Sequence, residues 1–315
     1  MKLIFFGTPD ISVKLLESLI RLHKVVAVVT QPDRPVKRSK APVPTPISIT
    51  AINNDIPVYK PETISDDLAA ELRKYEADLF VTFAFGLIFK KNILDITKFG
   101  GINVHPSLLP ELRGPSPIQT AVLLGKTKIG VTIQTVKLKV DAGDILLQKE
   151  LDINGDDICT IEKKVSELAT DMTLEVLSDF ERYYSNKTVQ DDTKATYCRM
   201  INKDDGLIDW NCSGKEIVNK IRAYSNRPVA FSYVDKRKLN IYKASINNTL
   251  DFEIYKKRPN GEIVALNRRE GVVVKASDCL INLEVLQQEG KNILECKNFV
   301  NGCQSFLHKI LSKET

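Results

Sequence analysis

The chain has few residues of the types that build metal centres and disulfide frameworks. Its 315 residues include only three histidines and six cysteines, and no two cysteines stand at C-x-x-C spacing. No apolar stretch reaches 18 residues, which argues against a membrane-spanning helix. The start, MKLIFFGTPD, reaches Asp10 after an apolar run that is too short for a signal-peptide core. The sequence therefore predicts a cytoplasmic protein with reduced thiols and no metal site.

Positive charge is concentrated in the last third of the chain. The formal net charge is +5, yet residues 1–202 hold 26 basic and 26 acidic residues. Residues 203–315 hold 19 basic and 14 acidic residues, which accounts for the whole excess. This bias suits a polyanionic partner. Taken alone, charge favours the simpler interpretation of a lysine-rich surface that binds nothing.

Strand and helix patterns alternate over the first half of the chain. Apolar runs typical of strands buried on both faces occur at 2–7, 24–31 and 77–86. Helical spacing occurs between them, for example at 65–76, where Ser65 is a plausible N-cap. The alternation predicts an α/β fold with a doubly wound, mostly parallel, Rossmann-like sheet. Residues 128–153 are then predicted as two strands around a DAGD turn, and 157–185 as a long helix.

A second, smaller domain is indicated near the C-terminus. The segment 185–206 is polar and poorly periodic, and short β-like pieces separated by turn signals follow it. Such a pattern is typical of a small barrel or sandwich. We predict an N-terminal domain at 1–189, a linker at 190–206, and a small OB-like β-barrel domain at 207–315.

One histidine lies in an unusual segment, INVHPSLLPELRGPSP, with four prolines and a glycine. Asn103 and His105 are two positions apart at the end of a predicted strand, so their side chains share a face. Open parallel sheets bind ligands beyond the carboxyl ends of their strands. Histidine can hold a proton near neutral pH, and an amide can donate to a developing oxyanion. From the residues alone, a histidine that only fixes a loop remains the alternative.

The predicted turn VDAGD carries two aspartates, Asp141 and Asp144. Aspartates are common at glycine-containing turns for structural reasons. Their spacing from His105 does not by itself bring either carboxylate to the histidine.

Two stretches together resemble the signature of the folate-dependent formyltransferases. They are NVHPSLLPELRGPSPIQ and VTIQTVKLKVDAGDILLQ, and the second resembles the half that carries a catalytic aspartate. The resemblance implies the formyltransferase fold. It also implies a catalytic trio of Asn103, His105 and Asp141, with Asp144 ranked second for the carboxylate.

Further stretches resemble the branch of this family that formylates methionyl initiator tRNA. They are FFGTPD, TQPDRPVKRSKAPVPTPI, ATYCRMINKDDGLIDW and IRAYSNRPVAFSY, so the resemblance covers nearly the whole chain. It implies transfer of the formyl group of 10-formyltetrahydrofolate to the α-amino group of methionyl initiator tRNA in bacterial translation initiation. The alternatives are a formyltransferase for a small amine, such as an amino sugar nucleotide, and an RNA-binding module with an inactive enzyme domain.

The resemblance also implies where the substrates bind and that the protein is a monomer without a metal. The expected folate contacts are Phe85, Gly86, Leu87, Ile88, Ser107, Leu108, Leu109 and Pro110. The expected tRNA contacts are Arg34, Lys37, Arg38 and Lys40, in an inserted loop that proline keeps extended and whose cations suit phosphates. The family pattern has a basic residue and tryptophan where this chain has Glu111 and Leu112.

Overall fold

The computed structural model describes residues 1–35, 41–267, 271–302 and 304–312. The chain forms two compact units. The first comprises residues 1–117, 128–152 and 162–199, and the second comprises 118–127, 153–161 and 200–315. Residues 190–199, which the sequence suggests as the start of a linker, thus belong to the first unit. These residues pair with a distant segment of the same unit, since the Arg113 N–H donates to the Thr196 carbonyl at 2.9 Å.

Regular elements cover most of the first 185 residues. The strands are β1 (Lys2–Gly7), β2 (Lys24–Val29), β3 (Arg34–Pro35), β4 (Pro42–Val43), β5 (Val58–Tyr59), β6 (Leu79–Phe83), β7 (Gly101–His105), β8 (Lys128–Thr135) and β9 (Ile145–Asp152). The helices are α1 (Val13–Leu22), α2 (Pro46–Ile52), α3 (Asp66–Arg73), α4 (Lys91–Leu94), α5 (Pro117–Leu123), α6 (Ile158–Ser178) and α7 (Phe180–Ser185). The long helix expected at 157–185 is therefore two helices, which separate at Asp179.

The first unit is built on a seven-stranded sheet of order β5-β2-β1-β6-β7-β8-β9. Neighbouring strands from β5 to β7 are parallel, whereas β8 and β9 join antiparallel. The prediction of a mostly parallel sheet is confirmed. The β1 residues Leu3 to Phe6 are fully buried, as expected of a strand covered on both faces. Because β6 and β7 are parallel neighbours, their carboxyl ends lie side by side.

The second unit contains an antiparallel sheet of order β10-β11-β14-β13-β12, with β15 paired to β14. Its strands are β10 (Ala230–Val234), β11 (Arg237–Ile246), β12 (Ile263–Asn267), β13 (Gly271–Lys275), β14 (Leu280–Gln288) and β15 (Leu294–Glu295). Its further helices are α8 (Gly214–Ala223), α9 (Phe252–Tyr255) and α10 (Cys296–Phe299).

The C-terminal segment connects the two edge strands of this antiparallel sheet. Ser312 exchanges backbone hydrogen bonds with Tyr233 of β10, and the Ile263 N–H of β12 donates to Lys309. Both edge strands thereby pair with the C-terminal segment, and the domain that the sequence predicts as a small barrel is an antiparallel sheet. Within the described ranges, no helix combines the length and apolar character needed to cross a membrane.

Candidate active site

Strand β7 delivers the two side chains that the sequence singles out. It pairs with β6 on one side and β8 on the other, so it lies inside the sheet. Ile102 and Val104 are buried on one face, and Asn103 and His105 point to the opposite face. His105 is the last residue of the strand and is also buried. The strand therefore holds an amide and an imidazole at the carboxyl edge of the sheet.

The turn between β8 and β9 brings Asp141 to these side chains. One carboxylate oxygen, Oδ1, lies 3.3 Å from Asn103 Nδ2 and 3.5 Å from His105 Nδ1. The other oxygen, Oδ2, accepts the backbone N–H of Gly114 at 2.8 Å. The structure thus brings together the amide of Asn103, the imidazole of His105 and the carboxylate of Asp141, although Asn103 and Asp141 are 38 positions apart in the sequence. Asp141 adopts a left-handed backbone conformation with φ of 52°, which a non-glycine residue adopts only when its surroundings hold it there.

Asp144, the second candidate for the carboxylate, makes different contacts. Its Oδ1 lies 2.6 Å from Lys137 Nζ, and its backbone N–H donates to Thr135 Oγ1 at 2.8 Å. An ion pair with a half-exposed lysine at the turn is a structural role. The geometry therefore favours Asp141 over Asp144 as the partner of His105.

The contacts of His105 determine which ring nitrogen faces Asp141. Its Nε2 lies 2.9 Å from the Leu112 carbonyl, which can only accept, so Nε2 carries a hydrogen. The Nδ1 atom faces the Asp141 carboxylate at 3.5 Å, beyond the usual length of a direct hydrogen bond. Nδ1 is therefore the ring nitrogen that faces the carboxylate and is left to contact a bound molecule.

Gln134 is a member of this cluster that the sequence patterns do not indicate. Its Nε2 donates to Asp141 Oδ1 at 3.3 Å, and its Oε1 accepts the Gly143 N–H at 3.0 Å. It pairs with Asn103 across β7 and β8. The available signal is its position near the end of β8, seven residues before Asp141.

The segment SLLP, residues 107–110, follows His105 at the carboxyl edge of the sheet. Ser107 and Leu109 are buried, and the Leu109 N–H donates to Thr132 Oγ1 at 3.2 Å. Gln148 Nε2 donates to the Leu109 carbonyl at 2.8 Å. Leu108 and Pro110 are partly exposed. Of the folate contacts expected here, Ser107 and Leu109 thus hold the loop in place, while the other two face outward in part.

The segment FAFGLI leaves β6 beside the segment that leaves β7. The Phe85 side chain is buried, and its carbonyl accepts Thr8 Oγ1 at 2.9 Å and Gln31 Nε2 at 3.0 Å. Gly86 has φ of 85°, and Ile88 is 72% exposed. Leu87 is partly buried. The exposed apolar side chain of Ile88 lies near the backbone of Gly86, which has no side chain. Such a surface suits an aromatic ligand that makes few polar contacts.

The basic residues expected to contact tRNA are only partly covered by the structure. Arg34 is exposed in β3 and forms an ion pair with Glu62, which is also exposed. Lys37, Arg38 and Lys40 lie outside the described residues.

The two positions that depart from the family pattern differ in environment. Glu111 is exposed, whereas Leu112 is buried with φ of 55° and supplies the carbonyl that contacts His105. Across the described part of the chain, no group of three metal-ligating side chains is found.

Comparison with known proteins identifies the family. A model described as "Formyl transferase" matches residues 1–177, and one described as "Formyl transferase, C-terminal domain" matches residues 200–304. The chain belongs to the formyl transferase family. The resemblance found in the sequence is therefore confirmed.

Relatives of this formyl transferase are found among named proteins and among solved structures. A protein named "Methionyl-tRNA formyltransferase" from Staphylococcus epidermidis is 38% identical over 313 residues, which cover 98% of this chain and 99% of that protein. Two solved structures share the fold. HypX from Aquifex aeolicus in complex with tetrahydrofolic acid has a TM-score of 0.67 at 19% identity, covering 98% of this chain and 48% of that chain.

The second structure is an N-formyltransferase from Helicobacter canadensis in complex with folinic acid and dTDP-3-aminofucose. Its TM-score is 0.62 at 21% identity, and the match covers 90% of this chain and 98% of that chain. At these identities both structures support the fold of this formyl transferase.

Proposed function

We propose that this protein transfers the formyl group of 10-formyltetrahydrofolate to the α-amino group of methionyl initiator tRNA. The single observation that carries the chemistry is the convergence of Asn103, His105 and Asp141 at the carboxyl edge of the sheet. The 38% identity over nearly the full length to a methionyl-tRNA formyltransferase supports the choice of acceptor.

In this proposal Asn103 and His105 stabilise the charge that develops during transfer. When the amine nitrogen bonds to the formyl carbon, negative charge grows on the formyl oxygen. Asn103 Nδ2 has a second hydrogen besides the one directed at Asp141, and protonated Nδ1 of His105 is free to donate. Each such preorganised donor contributes on the order of 3 kcal/mol to transition-state stabilisation.

Asp141 then handles the proton that the amine loses. The carbon–nitrogen bond to the folate breaks, and its nitrogen needs a proton as it leaves. The Asp141–His105 pair, directly or through one water, accepts the proton from the amine and delivers it to the leaving nitrogen. No proton is gained or lost overall, and no metal is required by this sequence of steps.

Folate binding is assigned to the two segments that leave β6 and β7. In this proposal Phe85 to Ile88 and Ser107 to Pro110 line the two sides of a pteridine site, with Ile88 against the ring. The exposed side chain of Ile88 and the left-handed Gly86 backbone are the features that fit this ligand.

For tRNA, the proposal assigns contacts to Arg34, Lys37, Arg38 and Lys40. Replacing all four basic residues with neutral ones should lower the affinity for tRNA, because phosphate contacts depend on charge. Folate binding should remain nearly unchanged. Kinetics at varied salt test this, since the wild type should lose tRNA affinity more steeply with salt than the neutralised variant. An equal loss of folate binding would mean that the loop supports the folate site.

The deciding experiment gives the protein a choice of acceptors. The protein is incubated with 10-formyltetrahydrofolate and charged methionyl initiator tRNA, and formyl-methionine is followed. Glycinamide ribonucleotide and an amino sugar nucleotide are offered in parallel. Preferential formylation of the amino sugar nucleotide would replace the proposed acceptor with a small amine.

A further inference from the structure

A buried glutamine from the polar segment after α7 reaches into the candidate active site. Gln190 is 8% exposed, and its Nε2 lies 2.7 Å from the Gly143 carbonyl and 2.9 Å from the Asp141 carbonyl. The same atom lies 3.2 Å from Gln134 Oε1. The amide of Gln190 therefore contacts both ends of the turn that carries the catalytic carboxylate of the proposed mechanism.

The other side of the Gln190 amide fixes a second loop. Its Oε1 accepts Arg113 Nη2 at 2.7 Å and Arg113 Nε at 3.1 Å. The residue after Arg113 is Gly114, whose N–H donates to Asp141 Oδ2. Because three acceptors face Nε2 and a guanidinium faces Oε1, only one orientation of the amide satisfies these partners. Gln190 thus connects the two backbone segments that together set the position of the Asp141 carboxylate.

The segment around Gln190 is itself anchored to both loops. Thr188 exchanges two backbone hydrogen bonds with Ile145 at the start of β9, at 2.8 and 2.9 Å. Further along, the Cys198 N–H donates to the Arg113 carbonyl at 2.8 Å. Gln190 is therefore held between fixed points, which is what a positioning side chain requires.

The physical need for such a residue lies in the backbone of Asp141. Its left-handed φ of 52° is unfavourable for a residue with a side chain, and the carbonyl bond from Gln190 holds it there. A rotation of the turn would move the carboxylate away from His105 Nδ1, where the present separation is 3.5 Å.

We propose that Gln190 is a positioning residue for catalysis, which fixes Asp141 against His105 through the carbonyls of the turn and the guanidinium of Arg113. The inference rests on the proposed function, because it takes Asp141 and His105 as the proton-handling pair. Gln190 itself touches no substrate in this proposal.

Two variants separate the parts of this role. Gln190→Ala removes all five contacts. Gln190→Glu retains an oxygen for Arg113, but it replaces the donor that faces the carbonyls of Asp141 and Gly143 with a second oxygen and adds a negative charge. Both should lower kcat by about 10²-fold, the usual consequence of misplacing a catalytic group by an ångström. KM for tRNA and for the formyl donor should remain close to the wild-type values.

Val189→Ala is the matched control, because Val189 is the adjacent residue and is 75% exposed. It should leave kcat unchanged. A rise in KM without a fall in kcat in the Gln190 variants would overturn the proposal, as would wild-type kcat in both. Thermal denaturation shows whether each variant is folded under the assay conditions. If Gln190→Ala does not fold, the kcat of Gln190→Glu tests the proposal.

A readout independent of turnover is the ¹⁵N spectrum of the His105 ring, assigned by its loss in His105→Ala. Both Gln190 variants should shift the Nδ1 resonance, and Val189→Ala should not. An unchanged Nδ1 resonance in both variants would refute the positioning role even if kcat fell. If methionyl-tRNA were not the acceptor, this spectrum would still report whether Gln190 positions the pair, so the two proposals can fail separately.

Discussion

The choice between Asp141 and Asp144, which are three positions apart in VDAGD, gives the sharpest test of the site. The Asp141 carboxylate accepts the Gly114 N–H and faces the amides of Asn103 and Gln134. In Asp141→Asn, either orientation of the new amide sets an N–H against one of these donors. Leaving a buried donor unsatisfied lowers stability by roughly 1–3 kcal/mol.

The larger effect of Asp141→Asn should be on turnover. The substitution removes the carboxylate that lies 3.5 Å from His105 Nδ1 and that relays the proton in the proposed mechanism. Loss of a general acid–base group lowers the rate by about 10²–10⁴-fold. At about 1.4 kcal/mol for each factor of ten, this is roughly 3–5 kcal/mol of transition-state stabilisation.

Asp144→Asn is the matched control for Asp141→Asn. It removes an ion pair with the half-exposed Lys137, which contributes about 0–1 kcal/mol to stability. Its kcat should stay near that of the wild type. The assay follows formyl-methionine formation on charged initiator tRNA under saturating formyl donor. Near-wild-type turnover in Asp141→Asn, together with an inactive Asp144→Asn, would refute the assignment of the catalytic carboxylate.

Three further predictions concern folding and reactivity. Burial raises the pKa of Glu162 in the folded state, so its ionised form destabilises the protein at neutral pH. Glu162→Gln should therefore raise the melting temperature near neutral pH and lose that advantage below the ordinary glutamate pKa of about 4.3. Burial raises the pKa of the Cys296 thiol to about 11, so little reactive thiolate forms there at about pH 8. Iodoacetamide at that pH should label the exposed Cys159 and should label Cys296 only after denaturant is added. Mass spectrometry of the labelled peptides measures both outcomes. Gly143→Ala should lower both melting temperature and turnover, because its Cβ would lie 1.6 Å from the Thr135 carbonyl oxygen.

Much of the architecture could be predicted because the local patterns agree with the tertiary fold. Helix α3 begins where Ser65 caps it, with Ser65 Oγ accepting the Leu68 N–H at 3.2 Å. The buried strands β1 and β6 stand out as continuous apolar runs. The break at Asp179 between α6 and α7 could not be predicted, because helical periodicity continues across it and the local backbone of one residue decides it.

The composition of the polar segment near residue 190 does not show that it belongs to the first unit. Polar, aperiodic stretches usually connect domains. Here the side chain of Gln190 is buried and the backbone of Thr196 pairs with Arg113, so residues 190–199 are part of the first unit. These contacts join residues that are 47 to 83 positions apart, so the local sequence pattern does not indicate them.

The sequence by itself determined the strand that carries Asn103 and His105 and placed the two on one face, because side-chain direction alternates along a strand. It also offered two aspartates without a physical reason to choose between them. Only the tertiary structure decided that Asp141 faces the histidine while Asp144 pairs with Lys137, because that choice depends on how β8 and β9 fold back beside β7. The support that Gln134 and Gln190 give to Asp141 was likewise decided by contacts between segments far apart in the chain.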